Sequence, residues 1–238
     1  VNAINNTLGS YGSTITWDRP YNLKKGSDKA IVDLVSGLND GKYKGVLFMD
    51  TNPVFTSPVA GLAEALAKAE VSVSFANRLD ETSASCTYVC PDNHWLESWN
   101  DAEPKAGIYN TVQPAISKLF DTRPVQETLL KWSGKNVSYY EYIQKYWENN
   151  LYKKQSKFNG FWAFWDNAVH DGEVVLDASE TATYNAAGAA EAASVVKEYA
   201  STLGDIQVKF YESIAIGDGS WADNPWLQEL PDPVSKVT

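Results

Sequence analysis

The sequence predicts an α/β fold: a Rossmann-like, mostly parallel sheet with flanking helices. Three observations predict it. Short apolar runs at residues 45–49, 71–76 and 87–91 each have the length of a strand. Helix-like stretches separate them, and strand–helix–strand alternation is the pattern of a parallel sheet. The chain is 44% hydrophobic over 238 residues, enough to fill the core of one large domain or two small ones.

The elements follow in order. Ser27 is placed to cap a helix whose apolar positions, Ala30, Ile31, Leu34, Val35 and Leu38, recur at helical spacing, and Gly41 ends it. The run at 45–49 is continuous and apolar, as expected of a strand covered on both faces. The stretch FMDTNPVFTSP, residues 48–58, then leaves this strand for a tight polar loop. Pro58 suits the first turn of a second helix, with Val59, Leu62, Ala63 and Leu66 on one face. VSVSFA, 71–76, reads as the second strand. Asp80 or Thr82 caps the short DETSASC turn, and TYVCP, 87–91, is a third strand stopped by proline. Ligands of such sheets lie beyond the carboxyl ends of the strands. The loops at 50–57, 77–82 and 91–97 are therefore expected to share one edge.

Residues 92–123 read as loop-rich, with Trp95, Trp99, Pro104, Gly107 and Pro114. Thr122 and Pro124 open a helix carrying Val125, Leu129 and Trp132, and Gly134 stops it. Ser138 and Glu141 form a capping box ahead of Tyr142, Ile143, Tyr146 and Trp147. Phe161, Trp162 and Trp165 fall near helical spacing, and the alanine-rich run at 186–200 favours helix. Ile206, Val208 and Phe210 alternate with polar residues, as in a half-exposed strand. Three parts are expected: an α/β lobe over 1–134, a helical aromatic-rich segment over 135–203, and a strand with a long loop over 204–238 leading toward a further β-containing part. The aromatic rings are expected chiefly to pack helices on the sheet, with a partner surface as the alternative.

With 20 basic and 30 acidic residues the chain carries a formal charge of −10, which opposes binding to nucleic acid or anionic lipid. No apolar run reaches the roughly 18 residues of a membrane span. The first residue is Val1 and the last Thr238, so the sequence reads as part of a longer chain. Cys86 and Cys90 cannot ligate a four-thiolate cluster and are expected to be small buried residues beside a strand. The two histidines, His94 and His170, lack the surroundings of a hydrolytic triad, and no phosphate-binding glycine motif follows a strand. His94 is expected to be structural, and His170 precedes a turn signal, Asp171-Gly172. Glu97, Asp101 and Glu103 are expected to form an exposed acidic loop. No self-contained catalytic apparatus emerges, so catalytic and metal-ligating residues are expected to be absent.

TNPVFTSP, followed by RLDETSASCTYVCPDNHWLESW, resembles the third-domain pattern of the molybdopterin oxidoreductase superfamily. The matching residues are Asn52, Pro53, Asp80, Glu81, Thr82, Pro91 and Glu97. LESWNDAEPKAGIYNTVQPAISKLFDTRPVQETLL and AIGDGSWADNPWLQELPDPVSKVT are similar to one branch, the large periplasmic iron–sulfur subunit of the quinol-oxidising alternative complex III. The resemblance implies a part of a membrane-associated respiratory complex that lacks the clusters and works against other subunits, without entering the membrane itself. It also implies that Thr51, Asn52, Ser57, Asp80 and Thr82 are the residues that would hold the guanine dinucleotide arms of molybdopterin. Trp99 stands where relatives keep a small residue, and a bulky side chain prevents close approach of the backbone to a planar cofactor. The expectation is therefore a vestigial site and a non-catalytic scaffold with no cofactor in this stretch. The alternative is a fragment of a molybdopterin-loaded oxidoreductase. In the scaffold reading Asn52 bonds local backbone to fix its turn.

Overall fold

The computed structural model describes residues 1–23, 26–57, 59–177, 188–202, 204, 206–208 and 211–236. The chain forms two compact units, Val1–Leu8 with Tyr184–Thr238, and Gly9–Thr183. The first unit contains α1 (Asn2–Thr7) and two later helices. The second holds two three-stranded sheets.

The first sheet belongs to the α/β lobe. Helix α2 (Asp28–Asn39) runs from Ser27 and ends with Gly41 at φ 69°, a left-handed turn that glycine adopts without a Cβ penalty. Strand β1 (Gly45–Phe48) follows. Helix α3 (Pro53–Thr56) forms inside the polar loop, with Asn52 at its N-cap and Pro53 in its first turn. Helix α4 (Leu62–Leu66) begins only after Gly61, so the helix expected from 58 starts later and is short, and α3 inside the loop was not expected; Pro58 lies outside the described residues. Strand β2 (Val71–Ser74), helix α5 (Glu81–Ala84) and strand β3 (Tyr88–Val89) complete the lobe. The strands lie in the order β1-β2-β3, all parallel, with Val46 beside Ser72 and Ser74 beside Val89.

Paired residues of parallel strands point to the same face. On one face Val46 and Phe48 pack with Leu38, Leu62, Ala65 and Leu66 of α2 and α4. Ser72 lies on this face, and its buried hydroxyl takes the Thr87 N–H at 2.8 Å. On the other face Val73 and Phe75 pack under Val125 and Leu129. Those two residues belong to α6 (Val125–Trp132). Contrary to expectation, β1 is not covered on both faces: Leu47 is 44% exposed and Met49 51%. The reason is placement, since α6 covers the inner strand and leaves the edge strand open.

Residues 92–123 are loop-rich, as expected, but they also hold a hairpin that was not. Strands β4 (Asn100–Lys105) and β5 (Ile108–Val112) form a hairpin turned at Ala106-Gly107, with Gly107 at φ 77°. Pro104 sits where the register shifts, one of the few sheet positions a residue without an N–H can take. Strand β6 (Glu173–Val175) pairs antiparallel with β5 and closes the second sheet. Helices α7 (Tyr139–Asn150) and α8 (Phe161–Asp171) pack on it. Their core is Ile143, Trp147, Leu151, Phe164, Trp165, Ala168 and Leu176, with Trp99, Tyr109 and Tyr140 at its margin. The rings meet in tilted or edge-to-face pairs, including Trp99–Tyr140 at 4.5 Å and Trp147–Trp165 at 5.5 Å between centroids, arrangements that suit the ring quadrupoles. The aromatic segment therefore builds a core.

The unit of Val1–Leu8 and Tyr184–Thr238 contains α9 (Ala189–Ser201) and α10 (Pro225–Gln228) besides α1. The boundary between the units falls inside the helical segment expected over 135–203. The expected strand at 206–210 does not form over residues 206–208, and Lys209 and Phe210 lie outside the described residues.

Candidate functional site

The loops that follow β1, β2 and β3 do meet at one edge, as the topology requires. Asp50 turns the chain out of β1 with φ 46°, a left-handed conformation that aspartate tolerates better than most residues. Two residues later the Asn52 side chain reaches across to α5. Its Oδ1 accepts both the Thr82 N–H, at 3.1 Å, and the Thr82 hydroxyl, at 2.7 Å. Its Nδ2 donates to Glu81 Oε2 at 2.7 Å. The Thr82 oxygen in turn accepts the Val54 N–H at 3.0 Å. Thr82 is fully buried. Asn52 therefore does not fix its turn through local backbone, as expected; it ties two loops together across 30 residues of sequence.

The other expected residues are placed differently. Asp80 caps α5: its Oδ1 accepts the Ser83 N–H at 2.7 Å, and the Ser83 hydroxyl takes the Asp80 N–H at 2.6 Å, which completes a capping box. Asp80 Oδ2 has no partner among the described residues. Ser57 accepts the Val59 N–H at 3.1 Å. Thr51 is exposed. The edge thus joins Asn52 and Thr82, sets Asp80 beside them, and leaves Ser57 in a turn of its own. Sequence reasoning missed Glu81 as a bonding partner, although its place at the first position of α5, one residue from Thr82, was the available signal.

Of the five residues, Asn52 and Thr82 bond each other. Thr51, the Ser57 hydroxyl hydrogen and one oxygen of Asp80 have no such tie among the described residues. Trp99 lies against Tyr140 and Trp165 in the aromatic lobe. Among the described residues no group of three or more His, Cys, Asp or Glu side chains is placed to hold a metal ion.

Beside this edge lies Asp92, just beyond β3. It accepts the Val125 N–H at 2.9 Å and the Asn93 N–H at 2.8 Å, and so ties the third loop to the start of α6. Burial pushes its carboxyl pKa up, against the pull of those two bonds. His94 is structural, as expected: it caps a 3-10 turn, Trp95–Glu97, through its Nδ1. Glu97 Oε2 accepts the His94 N–H and Oε1 the Leu119 N–H, both at 2.9 Å. The Leu119 and His94 bonds hold its carboxyl below the usual range.

Glu97, Asp101 and Glu103 are not an exposed acidic loop. Asp101 stands on β4 and accepts the Tyr139 hydroxyl at 3.0 Å and the Trp147 indole N–H at 2.8 Å. Glu103 accepts the Gly107 N–H at 2.8 Å and braces the hairpin turn. Each carboxylate serves a different donor set. His170 ends α8 and bonds Asp171 at 2.8 Å, with Gly172 at φ 72° closing the helix. Cys86 is half-buried, and burial raises its thiol pKa, but Cys90 is exposed, against expectation, because the chain leaves β3 there for the surface. A cleft of about 830 Å³ opens on that side of β3, and none of the five expected site residues lines it.

These features define a mixed α/β protein with a parallel-sheet edge closed by its own side chains. No family model matches the chain. Over 108 residues it is 33% identical to the "Menaquinone reductase, molybdopterin-binding-like subunit" of Nitratidesulfovibrio vulgaris. The match takes in 42% of this chain and 16% of that protein's length. This similarity supports a relationship to molybdopterin-oxidoreductase-related proteins.

Proposed function

We propose that this chain is a molybdopterin-enzyme-like scaffold domain of a quinone-linked respiratory electron-transfer subunit, without a redox centre of its own. The closed Asn52–Thr82–Glu81 network carries the reading, because groups that would grip a nucleotide arm grip each other. The similar protein is named both a menaquinone reductase subunit and molybdopterin-binding-like, which supports the respiratory context. In the finer form of the proposal the parent is an alternative complex III, on the periplasmic face of a bacterial inner membrane. The domain works there by docking against other subunits and the rest of its own chain. Among the described residues no helix is long and apolar enough to cross a membrane.

A second reading, a fragment of a molybdopterin-loaded enzyme, is favoured by the open Oδ2 of Asp80. That carboxylate, together with Thr51, would orient a guanine edge, and the bound group would supply the redox chemistry. Metal analysis of the purified intact subunit separates the two. The scaffold reading expects neither molybdenum nor tungsten; stoichiometric metal would overturn it.

A further inference from the structure

We propose that the cleft beside β3 is a binding site for a compact oxyanion, a phosphate or carboxylate group, held by Arg123, Lys131 and Ser98. Three cations and three carboxylates line it: Lys118, Arg123 and Lys131 against Glu97, Asp121 and Glu127. Among these six, only Lys118 and Asp121 pair with each other. Both oxygens of Glu97 hold main-chain N–H groups. Glu127 Oε1 holds the Tyr139 N–H at 3.1 Å, and Asp121 pairs with Lys118 at 3.4 Å. Asn93 Oδ1 takes the Thr122 hydroxyl at 2.6 Å. Every one of these acceptors already holds a donor of the protein.

Apart from Lys118, which donates to Asp121 and to the Thr122 carbonyl, the donors are less engaged. Arg123 is anchored through Nε to the buried Thr128 hydroxyl at 2.9 Å, and its two terminal nitrogens have no partner among the described residues. Lys131, one helical turn beyond Thr128, has no partner among them either. The Ser98 hydroxyl is buried and has no partner among the described residues. An unmet buried donor is costly, so an acceptor that reaches Ser98 gains what the protein alone leaves unmet, while the exposed Arg123 and Lys131 supply the charge. A guanidinium already fixed at one nitrogen offers the planar fork that carboxylate and phosphate oxygens match. The cleft is distinct from the Asn52–Thr82 edge, and the inference does not rest on the scaffold reading: metal content tests that reading, and anion binding tests this one.

The test is calorimetric titration of the intact polypeptide with inorganic pyrophosphate and, separately, with citrate. The two probes distinguish a phosphate from a carboxylate ligand. Saturable binding of at least one is expected, weakening with added sodium chloride as charge pairing is screened. Arg123→Gln and Lys131→Gln should each weaken it about tenfold or more, the scale of one lost charge-assisted bond. Lys44→Gln, an exposed lysine paired with Glu70 elsewhere, should bind as the parent does. Lys131 lies on the exposed side of its helix, so its variant stays informative even where loss of the Arg123–Thr128 bond unfolds the other. Failure of both probes to saturate, or equal weakening by Lys44→Gln, overturns the proposal.

Discussion

Replacing Asp101 by asparagine changes one oxygen for one NH2 group at the centre of the aromatic lobe. The native carboxylate accepts from the Tyr139 hydroxyl and from the indole of the fully buried Trp147. Asparagine keeps one acceptor. Its oxygen can keep the Trp147 N–H while its NH2 donates to the Tyr139 oxygen, so both contacts lose their charge and the Tyr139 O–H loses its acceptor. A hydrogen bond to a charged group contributes about 1.5–3 kcal/mol, and a stranded buried donor costs about 1–3 kcal/mol. The change in shape is negligible, so about 2–4 kcal/mol of stability should disappear. Urea unfolding followed by tryptophan fluorescence reads this as a lower midpoint at unchanged slope. A loss under about 0.5 kcal/mol would refute the assignment of Asp101 as the shared acceptor of these two rings.

Two further outcomes follow from the same geometry. Thr82→Val keeps the shape of a buried residue but strands the Val54 N–H and removes one donor from Asn52 Oδ1; a loss of about 2–3 kcal/mol in urea unfolding is expected, and no change would show that the loop tie is not structural. Burial, and next the neighbouring Asp101 charge, raise the Tyr139 pKa in the folded state. Its contribution to stability is thus complete below the unfolded tyrosine value of about 10 and is lost as pH rises through the higher folded value. Tyrosinate absorbance should show one phenol titrating late, and Asp101→Asn should bring it earlier; a single class of tyrosines in the folded protein would contradict this.

The legible parts of the fold were the local ones. The Ser138–Glu141 box forms as the spacing implies, with Ser138 Oγ taking the Glu141 N–H at 3.2 Å and Glu141 Oε2 the Ser138 N–H at 3.1 Å, because every partner lies within one turn. The parallel order of β1, β2 and β3 was legible for a similar reason: alternation of strand and helix leaves few topologies. The second sheet was hidden. Asn100–Lys105 carries two carboxylates and a proline, and β6, which pairs on the far side of β5, lies some sixty residues on. Strand pairing over that distance leaves no periodic trace in either segment. At the site, the sequence placed Asn52, Asp80 and Thr82 at one edge through topology, and Asp80 or Thr82 as the cap of the short turn, of which Asp80 is the cap. It could not show that Asn52 and Thr82 bond each other, since that depends on where α3 and α5 come to rest.

Trp99 carries a consequence for descent. Its ring touches both Tyr140 and Trp165, so the position now belongs to the aromatic lobe. The ring is half-buried, so truncating it costs less than the about 3–5 kcal/mol of a core tryptophan, yet a real share of the roughly 5–15 kcal/mol by which folded proteins exceed their unfolded chains. Folding alone therefore disfavours a small residue at 99, whatever the domain binds.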